Sequence, residues 1–531
     1  MCCQRSVLRL REILASDRSS LPGWPGLSLF LVLVAGCVGL PGSGLGWSPD
    51  LMAANRADRE GQELRRLHRD LDAAQRYEQA YLLRLSVLGE DALDVAKTMT
   101  AAGQCYSIGG EPLRGLELLR RALPVLEEHL GTMHASVAGT LYAMAGAEYH
   151  LGRLDEAEAH QRRALQIFEQ IPPSDLAYAN GLAQLGRVLL AKDRVAEAQR
   201  LHSQALAIRQ RLRPPSLIFV AESQNDLGAV FDRMGNLPAA EAMYKQALET
   251  QEKAAATNTI QYTQYMRDYA AVLYQTGRHA DAEAVARRAL SVARQLHGVG
   301  DLEVGRCLGL LGLILIKTGD LAAAEPMLRQ ALSIRERALG PEHEATLSSL
   351  VFLAQVLSKR GDGDGAEVLL RRYMVAEERH YGKDSVQAGV AALNLAERIR
   401  DNGKHPEAEA LYLRSFNVAM RADAEYLPRV MLSLGTSHEE LKLNDKWEML
   451  FGEAITLMRG RGKQGELRLS QGLRAFGKVL ANRQEWEKAK AALQESLEIR
   501  ERRLGRNHPA TLEILEELKQ VTTVHNGQIG V

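Results

Sequence analysis

The sequence predicts an all-α solenoid, a stack of about 10 to 11 antiparallel helix pairs, and three features of its 531 residues support this prediction. A short pattern centred on a small residue recurs about every 42 residues along most of the chain. A second and a third small residue recur at fixed distances before that centre. Hydrophobic residues make up 46% of the composition and aromatic residues only 5%, which favours Ala- and Leu-rich helices over a β-sandwich.

The second helix of each pair carries the centre, which is small in every repeat except the one with Tyr373, and, in all but one repeat, another small residue seven positions earlier. Residues seven apart lie two turns apart on one helix face, and small side chains there let neighbouring helices approach closely. The exception among the earlier positions is Trp447. The centres are Ala80, Ala122, Ala164, Ala205, Ala247, Ala289, Ala331, Tyr373, Ser415, Ala454 and Ser496.

The first helix of each pair carries a Gly or Ala nineteen residues before the centre, as at Gly186 and Gly228. A Gly such as Gly152 or Gly319 often separates the two helices, because a helix C-terminus favours a residue that tolerates positive φ. One pair alone cannot bury both of its apolar faces, so neighbouring pairs must stack. We expect the Gly-rich segment Gly460 to Gly465 to form a loop.

The pattern of small residues resembles the tetratricopeptide repeat, and the LGxxH segments after the second helix resemble the kinesin light chain type. Those segments end at His134, His343 and His508, whose shared place in the repeat predicts a loop or capping role. The resemblance covers about residues 54 to 524. It implies a right-handed superhelix whose concave side is lined by the first helices. Because these repeats serve many partners, it implies little about which partner is bound.

The repeat pattern divides the chain into segments. We expect a degenerate capping repeat at 54–88, ten repeats at 89–508, a capping helix at 509–524 and a tail at 525–531. A polar first repeat suits a cap because its outer face meets water.

The first 53 residues lie outside the array. The apolar run Leu27 to Leu40 follows four arginines and has the length of an export signal's hydrophobic region, so residues 1–40 are predicted to be an export signal or a membrane anchor. The segment Val34 to Cys37 resembles the lipobox of bacterial lipoproteins, which implies lipid attachment at Cys37 and a flexible tether at 41–53. The expected location is therefore exported or membrane-attached, on the periplasmic or outer envelope side. The alternative is a cytoplasmic chain that starts at Met52.

Composition and motifs exclude several functional classes. The 66 basic residues balance the 66 acidic residues, so nothing favours nucleic acid binding. The segment Gly361 to Gly365 lacks the carboxylate that an EF-hand needs at its twelfth position and is predicted to be a turn. No zinc, phosphate-loop or nucleophile-elbow motif occurs, so we expect no enzyme, no metal and no cofactor.

One stripe of the first helices is the candidate binding surface. The positions at −3, +1 and +4 from the small first-helix residue face one side, and in repeats two to five they combine aromatic, amide and charged residues with small ones. Asn and Arg suit the main chain or acidic side chains of an extended peptide, and Tyr suits packing against it. Asn225, in the segment Gln224 to Gly228, resembles the asparagine by which kinesin light chains hold cargo peptides. The candidates are Tyr142, Tyr149, Arg187, Asn225, Asp232, Arg267 and Tyr274.

These observations favour a non-catalytic scaffold that binds a protein or peptide in the groove of the superhelix. An alternative is an accessory subunit whose faces are buried in a larger, envelope-associated assembly. A third possibility, that the candidate residues are solvated or internal to the superhelix and bind nothing, stays open for each position.

Overall fold

The computed structural model describes residues 48–529 apart from 68, 172–174, 423 and 441–445. Those residues form twenty-three helices and no strand, and successive helices pack as antiparallel pairs, which confirms the predicted all-α solenoid. Contacts divide the chain into two units, one ending at Val285 and the other beginning at Ala286.

The first unit holds eleven complete helices and the start of a twelfth. They are α1 Pro49–Arg66, α2 Asp70–Leu88, α3 Leu93–Ile108, α4 Pro112–Leu130, α5 Ala135–His150, α6 Leu154–Gln170, α7 Asp175–Ala191, α8 Val195–Arg211, α9 Leu217–Arg233, α10 Leu237–Lys253, α11 Ile260–Gln275 and α12 His279–His297. The odd-numbered helices are the first helices of their pairs, and the even-numbered ones are the second.

The second unit continues the same alternation. It contains the rest of α12, then α13 Leu302–Thr318, α14 Leu321–Leu339, α15 Glu344–Lys359, α16 Gly363–Tyr381, α17 Val386–Asp401, α18 His405–Arg421, α19 Leu427–Glu440, α20 Lys446–Arg459, α21 Gly462–Asn482, α22 Trp486–Leu504 and α23 Pro509–Ile529.

The small residues of the first helices lie where two helices approach most closely. A Cβ atom added at Gly228 would stand 2.6 Å from the ring of Tyr244, and one added at Gly312 would stand 2.6 Å from Leu328. Both distances are shorter than a van der Waals contact allows, so the close packing predicted for these positions is confirmed.

The predicted turns and caps also match the structure. Gly319 ends α13 with a φ of 88°, in the left-handed region. The Nδ1 atoms of His134, His343 and His508 each accept a hydrogen bond from the backbone N–H two residues later, at 3.0, 3.1 and 3.2 Å. The capping role of these histidines is therefore confirmed. Asp362 caps α16 in the same manner, which makes the Gly361 to Gly365 segment a turn and the start of a helix.

The helix ends differ from the predicted bounds in three places. The first helix begins at Pro49 rather than at 54, since proline suits the first position of a helix. The last helix continues to Ile529, and the hydroxyls of Thr522 and Thr523 bond to carbonyls one turn earlier in it. The expected loop at Gly460 to Gly465 is wrong from Gly462 onward, because α21 begins there; glycine is tolerated in a first helical turn.

The pair α19 and α20, where Trp447 replaces a small residue, packs in its own way. Trp447 is buried, and its ring lies 5.3 Å from that of Phe451 and 5.9 Å from that of Phe476 on α21. Helix α19 contacts α21 more extensively than it contacts α20. An aromatic cluster therefore replaces the close helix approach of the other repeats.

The predicted signal at 1–40, most of the tether and Cys37 lie outside the described residues. Of the helices that are described, none is both long enough and apolar enough to cross a membrane.

Candidate binding face of the first unit

The odd-numbered helices α5, α7, α9 and α11 carry the seven residues predicted to bind a partner. We call their shared surface the first-helix face. Six of the seven side chains are half-buried, whereas Asn225 is only 5% exposed. Small residues, including Gly146, Ala229 and Ala271, alternate with these side chains. The surface therefore protrudes at the larger side chains and is recessed at the small ones.

Arg187 is held by two carboxylates of the next first helix. Its Nε and Nη2 atoms donate to the two oxygens of Asp226, each at 3.0 Å, and Nη2 also donates to Glu222. Burial acts to lower the pKa of Arg187, but Asp226 and Glu222 outweigh it and the pKa lies well above its usual value. Burial likewise acts to raise the pKa of Glu222, but Arg187 and Arg209 bring it below the usual range. This guanidinium is therefore already paired, although 36% of its side chain remains exposed.

Arg209 of α8 supports the same carboxylates from beneath. Its side chain is 1% exposed, and it donates to the carbonyl oxygen of Phe219, the hydroxyl of Ser223 and the amide oxygen of Asn180. Its Nη2 also lies 3.1 Å from Glu222 Oε2. Acceptors of this kind stabilise a buried guanidinium, although no described residue accepts a hydrogen bond from the Nε of Arg209.

His202 of α8 is the remaining ionisable group of this cluster. The ring is fully buried against Gly186, where an added Cβ atom would stand 2.5 Å from Nε2. Its Nδ1 lies 3.5 Å from Asp226 Oδ2, and neither ring nitrogen has a hydrogen-bond partner among the described residues. Burial lowers the pKa of His202, so the imidazole is neutral at neutral pH.

Two tyrosines flank the cluster from opposite sides along the stack. Burial, followed by the charge of Glu222, raises the pKa of both Tyr142 on α5 and Tyr265 on α11. Tyr142 belongs to the repeat two before that of Glu222, so the first-helix face brings together groups from non-adjacent repeats.

Asn225 and Arg267 meet at a shared carboxylate. Asn225 Nδ2 donates to Asp268 Oδ2 at 3.1 Å, and Arg267 Nη2 lies 3.7 Å from Asp268 Oδ1. The same two helices are joined again at Asp232, which accepts a hydrogen bond from Gln275 Nε2 at 3.5 Å. The polar residues of α9 and α11 therefore form a row of repeat-to-repeat contacts.

The remaining two candidates lie near the ends of their helices. Tyr149 packs edge-on against His150, with ring centres 5.8 Å apart, and Tyr274 packs against His279 at 5.4 Å. The structure thus joins Asn225 to Arg267 through Asp268 and holds Arg187 with Asp226 and Glu222. Tyr142, Tyr149 and Tyr274 contact neither group directly.

Sequence reasoning missed Glu222, Asp226, Arg209, His202 and Asp268. Comparing the repeats could have found Arg209, because arginine occupies its position, four residues after the centre, in four repeats. Those arginines are Arg84, Arg209, Arg335 and Arg500. No pattern in the sequence pairs Arg187 with Asp226, since the two are 39 residues apart and belong to different repeats.

Nothing in the described part of the chain forms a metal site, as no group of three His, Cys, Asp or Glu side chains lies close enough to hold an ion. The charged cluster offers no activated nucleophile, and its groups neutralise one another. The cluster carries hydrogen-bonding groups and charges.

Comparison with known proteins identifies the family of these repeats. A family profile described as tetratricopeptide repeat matches residues 136–211, 178–253, 261–337 and 311–374, and a second profile of the same description matches 473–510. No curated protein matches the sequence.

Solved structures with a similar fold include three helical-repeat proteins. The apo form of the quorum sensor NprR from B. thuringiensis is 13% identical, covers 66% of this chain and 97% of its own, and has a TM-score of 0.49. A Rap protein complexed with competence and sporulation factor is 16% identical, covers 74% and 100%, and has a TM-score of 0.44. BtubC (BKLC) from P. vanneervenii is 20% identical, covers 43% and 92%, and has a TM-score of 0.39.

Proposed function

We propose that this chain, whose repeats are tetratricopeptide repeats, is a non-catalytic scaffold that binds an extended segment of a protein partner on the first-helix face of its first unit. The fold is typical of protein-interaction scaffolds, and no enzymatic family is indicated.

The row of contacts along α7, α9 and α11 is the observation that carries this proposal. Arg187, Asn225 and Asp232 are each held by a residue of the neighbouring first helix, so they are positioned before any partner arrives. Side chains ordered in advance lose little conformational entropy on binding. Small residues between them leave room for a peptide backbone, and Tyr142 and Tyr274 supply aromatic surface.

Selection from a phage library of random linear peptides on the intact protein tests the proposal. We expect selected peptides to bind the wild type and to bind Asn225→Ala and Arg267→Ala about tenfold more weakly, because each change removes hydrogen-bonding capacity from the face. Asn417→Ala and Arg211→Ala, at exposed positions on second helices, are the matched controls and should bind as the wild type does. Failure to enrich any peptide, or equal losses in the controls, would refute the proposal.

The alternative function, an accessory subunit buried in a larger assembly, is favoured by a different observation. Three large apolar side chains at helix ends in the first two pairs are more than half exposed: Leu67 at 59%, Ile108 at 56% and Leu113 at 63%. Large apolar side chains that stay exposed can contribute to a protein interface. Under this alternative, replacing all three by Ser would release the protein from a complex purified from its native source, as measured by size-exclusion chromatography. Peptide binding on the first-helix face would not change.

We further propose that residues 1–40 contain an export signal that is cleaved before Cys37, and that a lipid on Cys37 attaches the scaffold to a membrane. The apolar run before Cys37 and the lipobox-like segment support this proposal. Intact mass spectrometry of the membrane and soluble fractions tests it. A chain beginning at a lipid-modified Cys37 is the expected result, and an unmodified soluble chain that starts near Met52 would contradict it.

A further inference from the structure

A buried histidine shares a carboxylate oxygen with Arg187. His202 Nδ1 lies 3.5 Å from Asp226 Oδ2, and the same oxygen accepts the hydrogen bond that Arg187 Nη2 donates at 3.0 Å. The histidine ring is fully buried, and neither of its nitrogens has a hydrogen-bond partner among the described residues. The imidazole therefore competes with Arg187 for Asp226 once it gains a proton, since both of its nitrogens are then donors.

The charges around His202 balance while the imidazole is neutral. Two positive charges face two negative ones, namely Arg187 on α7 and Arg209 on α8 against Glu222 and Asp226 on α9. Protonation of His202 adds one more positive charge at a fully buried position. A buried charge without its own partner is costly, so the cluster must rearrange when the proton binds.

Other titratable groups also border this cluster. Tyr142 on α5 and Tyr265 on α11 stay protonated in acid, because burial and then the charge of Glu222 raise the pKa of each phenol. His150 on α5 lies near the cluster as well, and burial followed by the charge of Arg187 lowers its pKa. His150 is therefore the group that an experiment must separate from the buried histidine.

Arg187 is the member of the cluster that is placed to leave it. Its side chain is 36% exposed, and its hydrogen bonds go to Asp226 and Glu222. Arg209 is only 1% exposed, lies 3.1 Å from Glu222 and also donates to three neutral oxygens. An outward rotation of Arg187 puts its charge in water and leaves Asp226 to the imidazolium. The same movement of Arg209 would leave buried oxygens without a donor.

From this geometry we infer that His202 is a pH-sensitive switch, whose protonation transfers Asp226 from Arg187 to the imidazolium and releases the Arg187 side chain to the first-helix face. Burial of the ring lowers the pKa of His202, so the release takes place below the ordinary imidazole value of about 6.5. The consequence for binding rests on the proposed function. In mild acid the face gains a free positive charge, and an acidic segment of a partner then binds more tightly.

Chemical labelling of Arg187 tests the switch without any partner. The intact protein is treated with phenylglyoxal, which modifies accessible guanidinium groups, at pH 7.5 and pH 5, and mass spectrometry measures the modified fraction of each arginine. The exposed Arg211 is the reference in each sample, because the rate of the reagent itself depends on pH. Relative to Arg211, labelling of Arg187 should rise about fivefold at pH 5, because pairing protects a partly exposed guanidinium until it opens. The buried Arg209 should stay unlabelled.

Three variants identify the group that takes up the proton. His202→Gln keeps a polar side chain that binds no proton, so its labelling of Arg187 relative to Arg211 should not change with pH. His150→Gln is the matched control and should behave as the wild type does. Asp226→Asn removes the shared carboxylate, so Arg187 should be labelled faster than in the wild type already at pH 7.5, with no further rise at pH 5. Circular dichroism at each pH shows whether each variant is folded.

Any of three results would overturn the switch. The first is labelling of Arg187 in the wild type that does not change with pH. The second is a rise at pH 5 that persists in His202→Gln. The third is a parallel rise at Arg209, since general unfolding would then explain the labelling.

Phage selection at the two pH values tests the consequence for binding. Peptides enriched on the wild type at pH 5 should contain more Asp and Glu than those enriched at pH 7.5, and this difference should disappear on His202→Gln. Equal acidic content at the two pH values would overturn this consequence even if Arg187 is released. The absence of any enriched peptide would overturn the proposed function and leave the switch standing.

Discussion

Arg209 at the end of α8 donates a hydrogen bond of 2.7 Å to the hydroxyl of Ser223 on α9, in the next repeat. The same guanidinium donates to the carbonyl oxygen of Phe219, ten residues after it, at 2.9 Å. Arg335 repeats both contacts in the second unit, with Ala345 at 3.0 Å and Ser349 at 2.7 Å. The equivalent Arg500 donates to Ala510 at 2.6 Å. An arginine four residues after the centre thus ties a second helix to the first helix that follows.

We expect Arg209→Met to destabilise the first unit by about 3 kcal/mol, because it leaves Glu222 without one partner and removes the donor to three acceptors, on Phe219, Ser223 and Asn180. The urea unfolding midpoint and hydrogen exchange of α8 and α9 measure this loss. Arg211→Met, at an exposed position of the same helix, is the control and should change stability by less than about 0.5 kcal/mol. Equal effects of the two changes would show that the buried contacts contribute nothing.

Two glycines inside first helices should respond in opposite ways to alanine. Gly228→Ala places a Cβ 2.6 Å from the Tyr244 ring and should destabilise the protein by about 1–3 kcal/mol. Gly139→Ala in α5 meets nothing within 4 Å and should stabilise it by about 0.5–1 kcal/mol, because alanine has the higher helix propensity. Thermal unfolding followed by circular dichroism gives both signs. A stabilising Gly228→Ala would contradict the close approach of α9 and α10.

The histidine caps can be tested by separating the acceptor from the ring. His343→Ala removes the acceptor for the N–H of Ala345 and should cost about 1 kcal/mol, whereas His343→Asp retains an acceptor and should restore most of that loss. Chemical denaturation of the second unit measures both. If alanine and aspartate proved equivalent, the histidine would matter for packing and not for capping.

His202 should make the stability of the first unit depend on pH. Burial lowers its pKa in the folded state, the charges of Arg187 and Arg209 lower it further, and Asp226 and Glu222 oppose them. The unfolded chain therefore binds the proton more tightly, so the contribution of His202 is complete above the ordinary imidazole pKa of about 6.5 and is lost as the pH falls below it.

Comparing wild type with His202→Phe measures this contribution. The difference in unfolding free energy between pH 7.5 and pH 5 should be smaller in the variant, because phenylalanine cannot take up a proton. NMR titration of the His202 ring gives the folded pKa directly. A folded pKa equal to the ordinary value would abolish the expected effect, and one above it would reverse its sign.

The repeat period was sufficient to predict the helix pairs, the small residues and the caps. Each depends on neighbours a few residues away or on the other helix of the same pair, as His343 does on Ala345 and Gly228 on Tyr244. The predicted bounds of α1 and α23 were less accurate, because helix ends depend on weak terminal hydrogen bonds.

The candidate face was predicted only as a set of positions. Asn225 was expected to contact a bound peptide. Only 5% of its surface is exposed, however, and its side chain donates a hydrogen bond to Asp268. Arg187 was expected to offer a positive charge, yet two carboxylates already hold it. Whether these residues bind a partner stays a prediction.

The sequence by itself determined that this protein is a stack of tetratricopeptide repeats, because a pattern that recurs within one chain repeats the same local packing each time. Only the tertiary structure decided which charges are paired. Arg187, Glu222 and Asp226 belong to parts of the repeat that differ from one copy to the next, and Coulomb interactions depend on distances that the repeat pattern does not specify. The net charge of the face therefore follows from how the repeats stack.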